Sequence, residues 1–202
     1  MPKNPSTNSL DAMDRQSLRR HLIARRLALS AEAHAALSAR LCGHLSQAFP
    51  QLAALRLAFC WPIYNEPDIR PLIASWYAAG AAGFCPLLPV VLAQDQPLAF
   101  RAWSPHAELV KDRYGIPTPT QGPLLQPDAL LLPVNAFDAA AYRLGYGGGY
   151  FDRSLAVWHR QGIRPLTIGL GFELARVDSI KPEAHDWPLD AVVTEAGVFL
   201  RA

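Results

Sequence analysis

Apolar residues recur along the chain with helical and extended spacings, and these spacings predict the order of its elements. Leu18 and Leu22 fall on one helical face, which predicts a first helix over 14–29. Ser30 suits the N-cap of a second, alanine-rich helix that extends to about residue 49. Short apolar runs between turn-forming residues predict buried strands at 55–61, 83–89, 128–134, 166–170 and 191–194.

The alternation of these elements predicts an α/β fold. A third helix over 68–79, with Pro71 in its first turn, separates the first two strands, and 98–103 is expected to be an antiparallel or edge strand. We therefore predict a single domain over 13–202, with a mainly parallel twisted sheet flanked by helices in a Rossmann-like layered arrangement. The segment 114–120 is expected to be a loop, because its prolines donate no backbone hydrogen bonds.

Composition narrows the class of protein. The 202 residues, half of them hydrophobic, are enough for the core of one domain, and a net charge of +2 with scattered arginines argues against a nucleic-acid partner. The uncharged stretch 71–93 contains two glycines and several prolines, so we interpret it as buried core and expect no membrane span.

Residues 1–12 are polar and predicted to be a disordered lead-in. Three cysteines without a C-x-x-C pair predict reduced thiols in a cytoplasmic protein.

The densest cluster of chemical groups is the stretch 142–153, which reads Tyr-Arg-Leu-Gly-Tyr-Gly-Gly-Gly-Tyr-Phe-Asp-Arg. It lies between the strand predicted at 128–134 and helical spacing over 154–158. Glycine N–H groups and a helix N-terminus favour a phosphate, so we predict an anion site. A glycine-rich turn whose aromatic residues pack on the core is the alternative. The stretch is not a Walker loop, since no Gly-Lys-Ser/Thr follows, and Tyr150 replaces the glycine of a dinucleotide fingerprint.

Three other places offer partners for this glycine-rich stretch. Arg15, Arg19 and Arg26 follow helical intervals, and they form either a phosphate-binding stripe or a solvated face. Glu66 stands among aromatic residues after a strand and is either a ligand contact or a solvated loop acid. Asp186 follows a histidine in a proline-flanked loop, which otherwise is a surface turn. The six histidines show no paired metal-ligand spacing.

In combination, these blocks resemble the 5-formyltetrahydrofolate cyclo-ligases, also called 5,10-methenyltetrahydrofolate synthetases. The resemblance runs from about residue 15 to the end of the chain, and the glycine-rich stretch is its most specific part. The other matching blocks are Leu18-Arg19 with Arg26, Glu66-Pro67-Asp68-Ile69-Arg70-Pro71-Leu72, Phe100-Arg101-Ala102-Trp103, Gly115-Ile116-Pro117, Phe137-Asp138, Pro182-Glu183-Ala184-His185-Asp186 and Val193-Thr194-Glu195.

The chain also departs from the family pattern. Asn65 and Ala141 stand where the family has glycine, Phe151 replaces a tyrosine, and Thr118 replaces an acidic residue. Arg15 replaces a lysine, which keeps the charge and changes the geometry. None of these changes removes a carboxylate or a cation that the resemblance requires.

The resemblance implies that ATP phosphorylates the formyl oxygen of 5-formyltetrahydrofolate and that N10 then closes the ring, which gives 5,10-methenyltetrahydrofolate, ADP and phosphate. By similarity, Glu66 and Arg143 are catalytic, and Asp152 and Asp186 hold Mg²⁺. The residues implied for ATP are Arg15, Arg19, Arg143, Gly145, Gly147, Gly148, Gly149, Tyr150 and Phe151. Those implied for the folate are Trp61, Glu66, Tyr146, Gly147, Gly148, Gly149 and Tyr150. No obligatory protein partner is implied.

Two other classes of function stay open from the residues alone. A non-hydrolysing nucleotide- or folate-binding module would keep the glycine-rich stretch without needing Asp152 or Asp186. An enzyme acting on a phosphosugar or a CoA ester would use the glycines for an anion and Glu66 as a base.

Overall fold

A seven-stranded sheet organises the part of the chain that the computed structural model describes, which is residue 10 and residues 12–201. In spatial order its strands are β11 (Gly197–Leu200), β10 (Ala191–Thr194), β9 (Leu166–Leu170), β6 (Ala129–Pro133), β1 (Arg56–Ala58), β2 (Cys85–Val90) and β3 (Ala99–Ala102). The five central strands are parallel, and the two edge strands pair antiparallel with their neighbours. The predicted α/β fold class is confirmed. The predicted lead-in 1–12 lies outside the described residues, apart from Leu10 and Ala12.

Helices cover both faces of this sheet. The helices of the described residues are α1 (Arg15–Leu27), α2 (Ala31–Ala48), α3 (Arg70–Ala79) and α4 (Tyr150–Arg160), of which the last three cover the sheet, with short 3-10 helices at Pro50–Ala54 and Glu173–Ala175. Asp14 and Ser30 begin the first two helices, because each side chain accepts a hydrogen bond from a backbone N–H of the first turn. Leu45 of α2 and Ile73 of α3 pack on one face of the sheet, whereas Trp158 of α4 packs on the other.

Helix α1 packs away from these two layers, on a small hairpin. The hairpin consists of β7 (Ala136–Phe137) and β8 (Arg143–Leu144), and it follows β6 directly. Leu18 and Leu22 of α1 are buried against Leu144. The glycine-rich stretch therefore continues from β8 of this hairpin and not from the central strand β6, and α1 lies next to it.

The predicted loop over 114–120 is partly wrong, because Pro117–Pro119 forms strand β5 and pairs with β4 (Leu109–Lys111). The backbone N–H of Asp112 donates to the Ile116 carbonyl at 2.9 Å, which places the hydrogen-bonded pairs of this hairpin at even-numbered positions. Both prolines occupy the alternate positions, where an N–H would point away from β4. The ladder consequently needs no hydrogen from either proline.

Two further differences concern the ends of the sheet. Strand β11, whose residues are only partly buried at an edge, was not predicted, although the apolar run at 198–200 was a usable signal for it. The first strand is shorter than the predicted 55–61, since the chain leaves the sheet after Ala58 and enters the loop that carries Glu66. The uncharged stretch 71–93 forms most of α3, a turn and β2. Within residues 10 and 12–201, no helix is long and apolar enough to cross a membrane.

Candidate active site

Glu66 lies in the loop after β1 and is 4% exposed. The Tyr146 hydroxyl donates to Glu66 Oε1, and the Ile63 N–H donates to Oε2 at 3.0 Å. The backbone of this loop is left-handed at Asn65, with φ +58°, a conformation that asparagine adopts more easily than most residues do. Asn65 therefore keeps the loop shape for which the family uses glycine. The alternative of a solvated loop acid at position 66 is wrong.

Burial and hydrogen bonding oppose each other at Glu66. Burial is the largest influence and raises the pKa of Glu66, while the bonds from Tyr146 and Ile63 and the charge of Arg26 lower it in part. Burial also raises the pKa of Tyr146, as does the neighbouring carboxylate. Tyr146 consequently keeps its proton and serves as the donor in this pair.

The glycine-rich stretch forms an open helix N-terminus. Gly149 is the N-cap of α4 at φ +64°, and no side chain caps the first turn. Arg19 Nε donates to the Gly145 carbonyl at 2.6 Å, and a Cβ added at Gly147 would lie 3.5 Å from the Arg19 guanidinium. Burial, and then the charge of Arg15, lower the pKa of Arg19, which forms no salt bridge with a carboxylate of the described residues. A half-buried cation beside uncapped N–H groups suits an anion.

The three arginines on the first helix do not share one environment. Arg15 pairs with Asp186, with Nη1 to Oδ2 at 2.6 Å and Nη2 to Oδ1 at 3.1 Å. Arg19 faces the glycines, and Arg26 is 3% exposed beneath the Glu66 loop. Neither a single phosphate-binding stripe nor a solvated face therefore describes all three residues.

Two carboxylates lie next to arginines at the edge of the glycine-rich stretch. Arg143 is buried and donates from Nη2 to Asp152 Oδ1 at 2.9 Å. Asp152 is the third residue of α4 and not its N-cap, which removes the simplest structural explanation for it. Burial lowers the pKa of Arg15, but the hydrogen bond and charge of Asp186 and the smaller effects of the Glu183 and Asp152 charges raise it overall. The Arg143–Asp152 and Arg15–Asp186 pairs are thus electrostatic neighbours.

A small cavity opens at the carboxyl edge of the central strands. It is lined by Cys60, Pro62, Glu66, Pro67, Ile69, Leu131, Pro133 and Leu170. Its walls are apolar except for Glu66 and a thiol, and burial raises the pKa of that thiol, Cys60. The cavity holds only about 20 Å³, so a heteroaromatic ring with N–H donors would lie against its apolar mouth and reach Glu66 from there, and would not be enclosed by it.

Two aromatic residues predicted for the site have other neighbours. Trp61 lies under the Arg70 guanidinium, 4.8 Å from the ring centroid, and its ring is 6.4 Å from that of Trp103. The Tyr150 hydroxyl lies 2.5 Å from that of Tyr114 in the β4–β5 hairpin. The aromatic rings of the glycine-rich stretch thus reach two different parts of the molecule, Tyr146 to Glu66 and Tyr150 to the hairpin.

Sequence reasoning missed two residues of this site. Asn135 follows β6 directly, is 1% exposed and accepts from Arg26 Nη1 at 3.1 Å. Its position after a buried strand was a usable signal, because ligand-binding residues collect at that edge of such sheets. Tyr114 offered no comparable signal, since its contact with Tyr150 depends on the hairpin that the prolines concealed.

A mainly parallel sheet with a glycine-rich loop and a buried carboxylate at its carboxyl edge is typical of α/β enzymes that act on small molecules. The model of the 5-formyltetrahydrofolate cyclo-ligase family matches residues 11–195. The 5-formyltetrahydrofolate cyclo-ligase of Escherichia coli (strain K12) is 34% identical over 155 residues, which are 74% of this chain and 83% of that protein.

Solved structures agree with this match. The 5,10-methenyltetrahydrofolate synthetase of Aquifex aeolicus superposes with a TM-score of 0.78 at 27% identity, covering 93% of each chain. The synthetase of Mycoplasma pneumoniae shares the fold, with a TM-score of 0.72 at 21% identity over 91% of this chain and 99% of that one. The chain belongs to the 5-formyltetrahydrofolate cyclo-ligase family, and it is an enzyme of the ligase class.

Proposed function

We propose that this ligase converts 5-formyltetrahydrofolate to 5,10-methenyltetrahydrofolate with hydrolysis of ATP to ADP and phosphate, as a Mg²⁺-dependent cytoplasmic enzyme. The observation that carries the proposal is the position of Tyr146. It belongs to the loop that suits phosphate, and its hydroxyl donates to Glu66, the carboxylate that suits a pterin. The two halves of a reaction between ATP and a folate therefore meet at one residue.

The triphosphate is assigned to the uncapped start of α4 and to the cations around it. The N–H groups of Gly147, Gly148 and Gly149 and of the first helical turn attract phosphate oxygens, and Arg19 adds charge. Arg15 and Arg143 complete the cationic set from either side, and Gly145, Tyr150 and Phe151 form the remainder of the loop wall.

The folate is assigned to the surface at the mouth of the neighbouring cavity, which Glu66 lines. Glu66 accepts hydrogen bonds from the N–H donors of the pterin, Tyr146 fixes the orientation of that carboxylate, and Trp61 with Tyr150 provides aromatic walls. Glu66 also orients N10 for attack. Water is largely excluded at Glu66, which strengthens its interactions with the ligand.

The chemistry follows from the weak reactivity of an N-formyl group. Its oxygen is a poor leaving group until the γ-phosphoryl group of ATP is transferred to it and ADP is released. N10 then attacks the formyl carbon and loses its proton, and the bond between that carbon and the phosphorylated oxygen breaks with release of phosphate. Arg143 and Arg19 stabilise the charge that develops on the transferred phosphoryl group.

The carboxylates Asp152 and Asp186 are proposed to hold Mg²⁺ together with phosphate oxygens. Asp152 Oδ2 receives no hydrogen bond from the described residues, so it fits this role as it stands. Both oxygens of Asp186 bond to Arg15, so Asp186 fits when Arg15 turns toward the phosphates. No group of three or more His, Cys, Asp or Glu side chains that could hold a metal occurs in residues 10 and 12–201, and phosphates supply the remaining oxygen ligands. Bound Mg²⁺ neutralises phosphate charge during transfer.

Absorbance tests the proposed function. The methenyl product absorbs in the near ultraviolet, and 5-formyltetrahydrofolate does not. Purified protein with 5-formyltetrahydrofolate, ATP and Mg²⁺ is expected to produce that band, and omission of ATP or chelation of Mg²⁺ is expected to abolish it. No band under the complete conditions would refute the proposal, and nucleotide binding without the band would favour a non-hydrolysing module.

A further inference from the structure

Beneath the candidate site lies a buried polar cluster that the proposed reaction does not use directly. Its centre is Arg26, which engages three acceptors with three different nitrogens. Nε donates to the Tyr64 carbonyl at 2.8 Å, Nη1 to Asn135 Oδ1 at 3.1 Å, and Nη2 to the Tyr146 hydroxyl at 2.8 Å. The three acceptors lie on the Glu66 loop, directly after β6 and on the glycine-rich stretch, respectively. One guanidinium thus ties together the three segments that form the site.

The direction of each hydrogen bond in this cluster is determined by chemistry. A guanidinium only donates, so the Tyr146 oxygen accepts from Arg26, and the single hydroxyl proton of Tyr146 is left for Glu66. For the same reason the oxygen of Asn135 faces Arg26. The amide nitrogen of Asn135 then has no hydrogen-bond partner in the part of the chain described, although it is buried. That cost is consistent with a residue kept for orienting Arg26.

We propose that Arg26, held by Asn135, is a positioning residue that acts through Tyr146 to keep Glu66 ionised and correctly oriented for the substrate. The inference rests on the proposed function only in assigning the substrate to Glu66. Its physical basis is a one-way chain of donors, from Arg26 to Tyr146 and from Tyr146 to Glu66. Protonation of Glu66 at Oε1 would place two hydroxyl protons between Glu66 and Tyr146, and the Tyr146 proton would then lose its acceptor.

Direct charge attraction supplements this chain. Arg26 Nη2 lies 3.9 Å from Glu66 Oε1, and both side chains are almost fully buried, where screening by water is weak. Since burial raises the pKa of Glu66, an opposing influence is needed for the carboxylate to stay charged near neutral pH. The hydrogen bonds from Tyr146 and Ile63 and then the charge of Arg26 supply that influence, and Arg26 also holds the Tyr146 hydroxyl in place.

No other titratable group near Glu66 in the described residues could take over the role of Arg26. Cys60 lines the same cavity, and burial raises its pKa so far that it stays a neutral thiol. Arg143, on the β7–β8 hairpin, donates to Asp152 and to the Trp187 carbonyl and not to Glu66. His34 of α2 lies with Nε2 2.7 Å from the backbone oxygen of Glu66 and does not contact its carboxylate. Arg26 is therefore the cation that lies within ion-pair distance of the Glu66 carboxylate.

The direct test needs no substrate. The protein is labelled with ¹³C at the glutamate carboxyls, and the Glu66 signal is assigned by its loss in Glu66→Gln. In Arg26→Gln and in Tyr146→Phe, Glu66 is expected to titrate at higher pH than in the wild type. Tyr146→Phe keeps the ring, so it decides the matter if Arg26→Gln does not fold. An unchanged Glu66 titration in the folded variants would overturn the proposal.

Kinetics then separate positioning from a general loss of structure. We expect Arg26→Gln to lower kcat at neutral pH about ten- to a hundredfold, with recovery as the pH rises. In the Glu66→Gln background the same change is expected to have little further effect, because it acts through the missing carboxylate. The matched control is Arg25→Gln, an exposed neighbour that is expected to keep wild-type rates. Equal losses at all pH values, and in both backgrounds, would contradict the proposal. Failure of wild-type turnover would refute the proposed function and leave the titration test intact.

Discussion

At the scale of single residues, the site depends on where charge is buried. Glu66 is a carboxylate in a nearly dry cavity, whereas Arg19 is a half-buried cation without a carboxylate partner in the part described. Each would cost free energy in isolation, and each is stabilised when a ligand of complementary charge or hydrogen-bonding capacity arrives. Substitutions at these two positions therefore test the assignment of folate and ATP separately.

Glu66→Gln keeps the size of the side chain and removes its charge. We expect kcat to fall by at least about tenfold, while the folate dissociation constant changes less, because an amide still accepts one hydrogen bond from the pterin. Steady-state kinetics and folate binding by fluorescence give the two quantities. Glu32→Gln, at an exposed position of α2, is the matched control and is expected to be silent. Normal turnover of Glu66→Gln would show that charge at this position is irrelevant.

Arg19→Ala removes the cation beside the glycine-rich stretch. The KM for ATP is expected to rise about ten- to a hundredfold, the range of a lost charged hydrogen bond, with a smaller change for the folate. Arg20→Ala is the control, because Arg20 is exposed on the same helix and, among residues 10 and 12–201, its side chain bonds only to Ser17. Equal ATP affinity in the two variants would remove Arg19 from the nucleotide site.

At the scale of elements, the long periodic segments were predictable and the edges were not. Helices α1 and α2 begin after Asp14 and Ser30, as predicted, because at both places a capping side chain directly precedes a run of helically spaced apolar residues. Strand β5 was concealed by two prolines that occupy its non-bonded positions, and β11 lacks a buried face. Local sequence rules fail at such edges because tertiary pairing decides the outcome.

The start of α4 is the element on which the anion site depends. Gly149 and Gly80 have nearly the same left-handed φ, +64° and +65°, so Gly→Ala at either position is expected to reduce the free energy of unfolding by about 1 kcal/mol. Only at position 149 would the new Cβ meet another group, Arg153 Nη1 at 2.7 Å. We expect Gly149→Ala alone to raise the KM for ATP. Chemical denaturation and kinetics measure both effects, and equal kinetics for the two variants would contradict the assigned site.

At the scale of the whole molecule, the candidate site is assembled from segments that are remote in sequence. The mainly parallel sheet and the glycine-rich stretch were within reach of sequence reasoning, since they depend on the alternation of elements and on composition. The convergence of Arg26, Asn135, Tyr146 and Glu66 was not, because it depends on the packing of α1 against the β7–β8 hairpin. Sequence patterns can indicate which side chains belong to a site, but the packing of the elements determines which of these side chains contact one another.

The carboxylates Asp152 and Asp186 test this assembly across the molecule. If both serve one Mg²⁺, Asp152→Asn and Asp186→Asn are each expected to raise the Mg²⁺ concentration required for half-maximal rate and to lower kcat. The double variant is expected to be much less than additively worse, since the same metal interaction is lost. Rate measurements over a range of Mg²⁺ concentrations provide the comparison. Additive losses with an unchanged metal requirement would mean that the two residues act only through Arg143 and Arg15.

The central claim is that the formyl oxygen leaves as phosphate. 5-Formyltetrahydrofolate labelled with ¹⁸O in its formyl group is incubated with ATP, Mg²⁺ and the protein, and the released phosphate is analysed by mass spectrometry. We expect one labelled oxygen in each phosphate, with one ADP and one 5,10-methenyltetrahydrofolate formed per turnover. Unlabelled phosphate alongside the methenyl product would contradict this claim, because ATP hydrolysis would then not have activated the formyl oxygen.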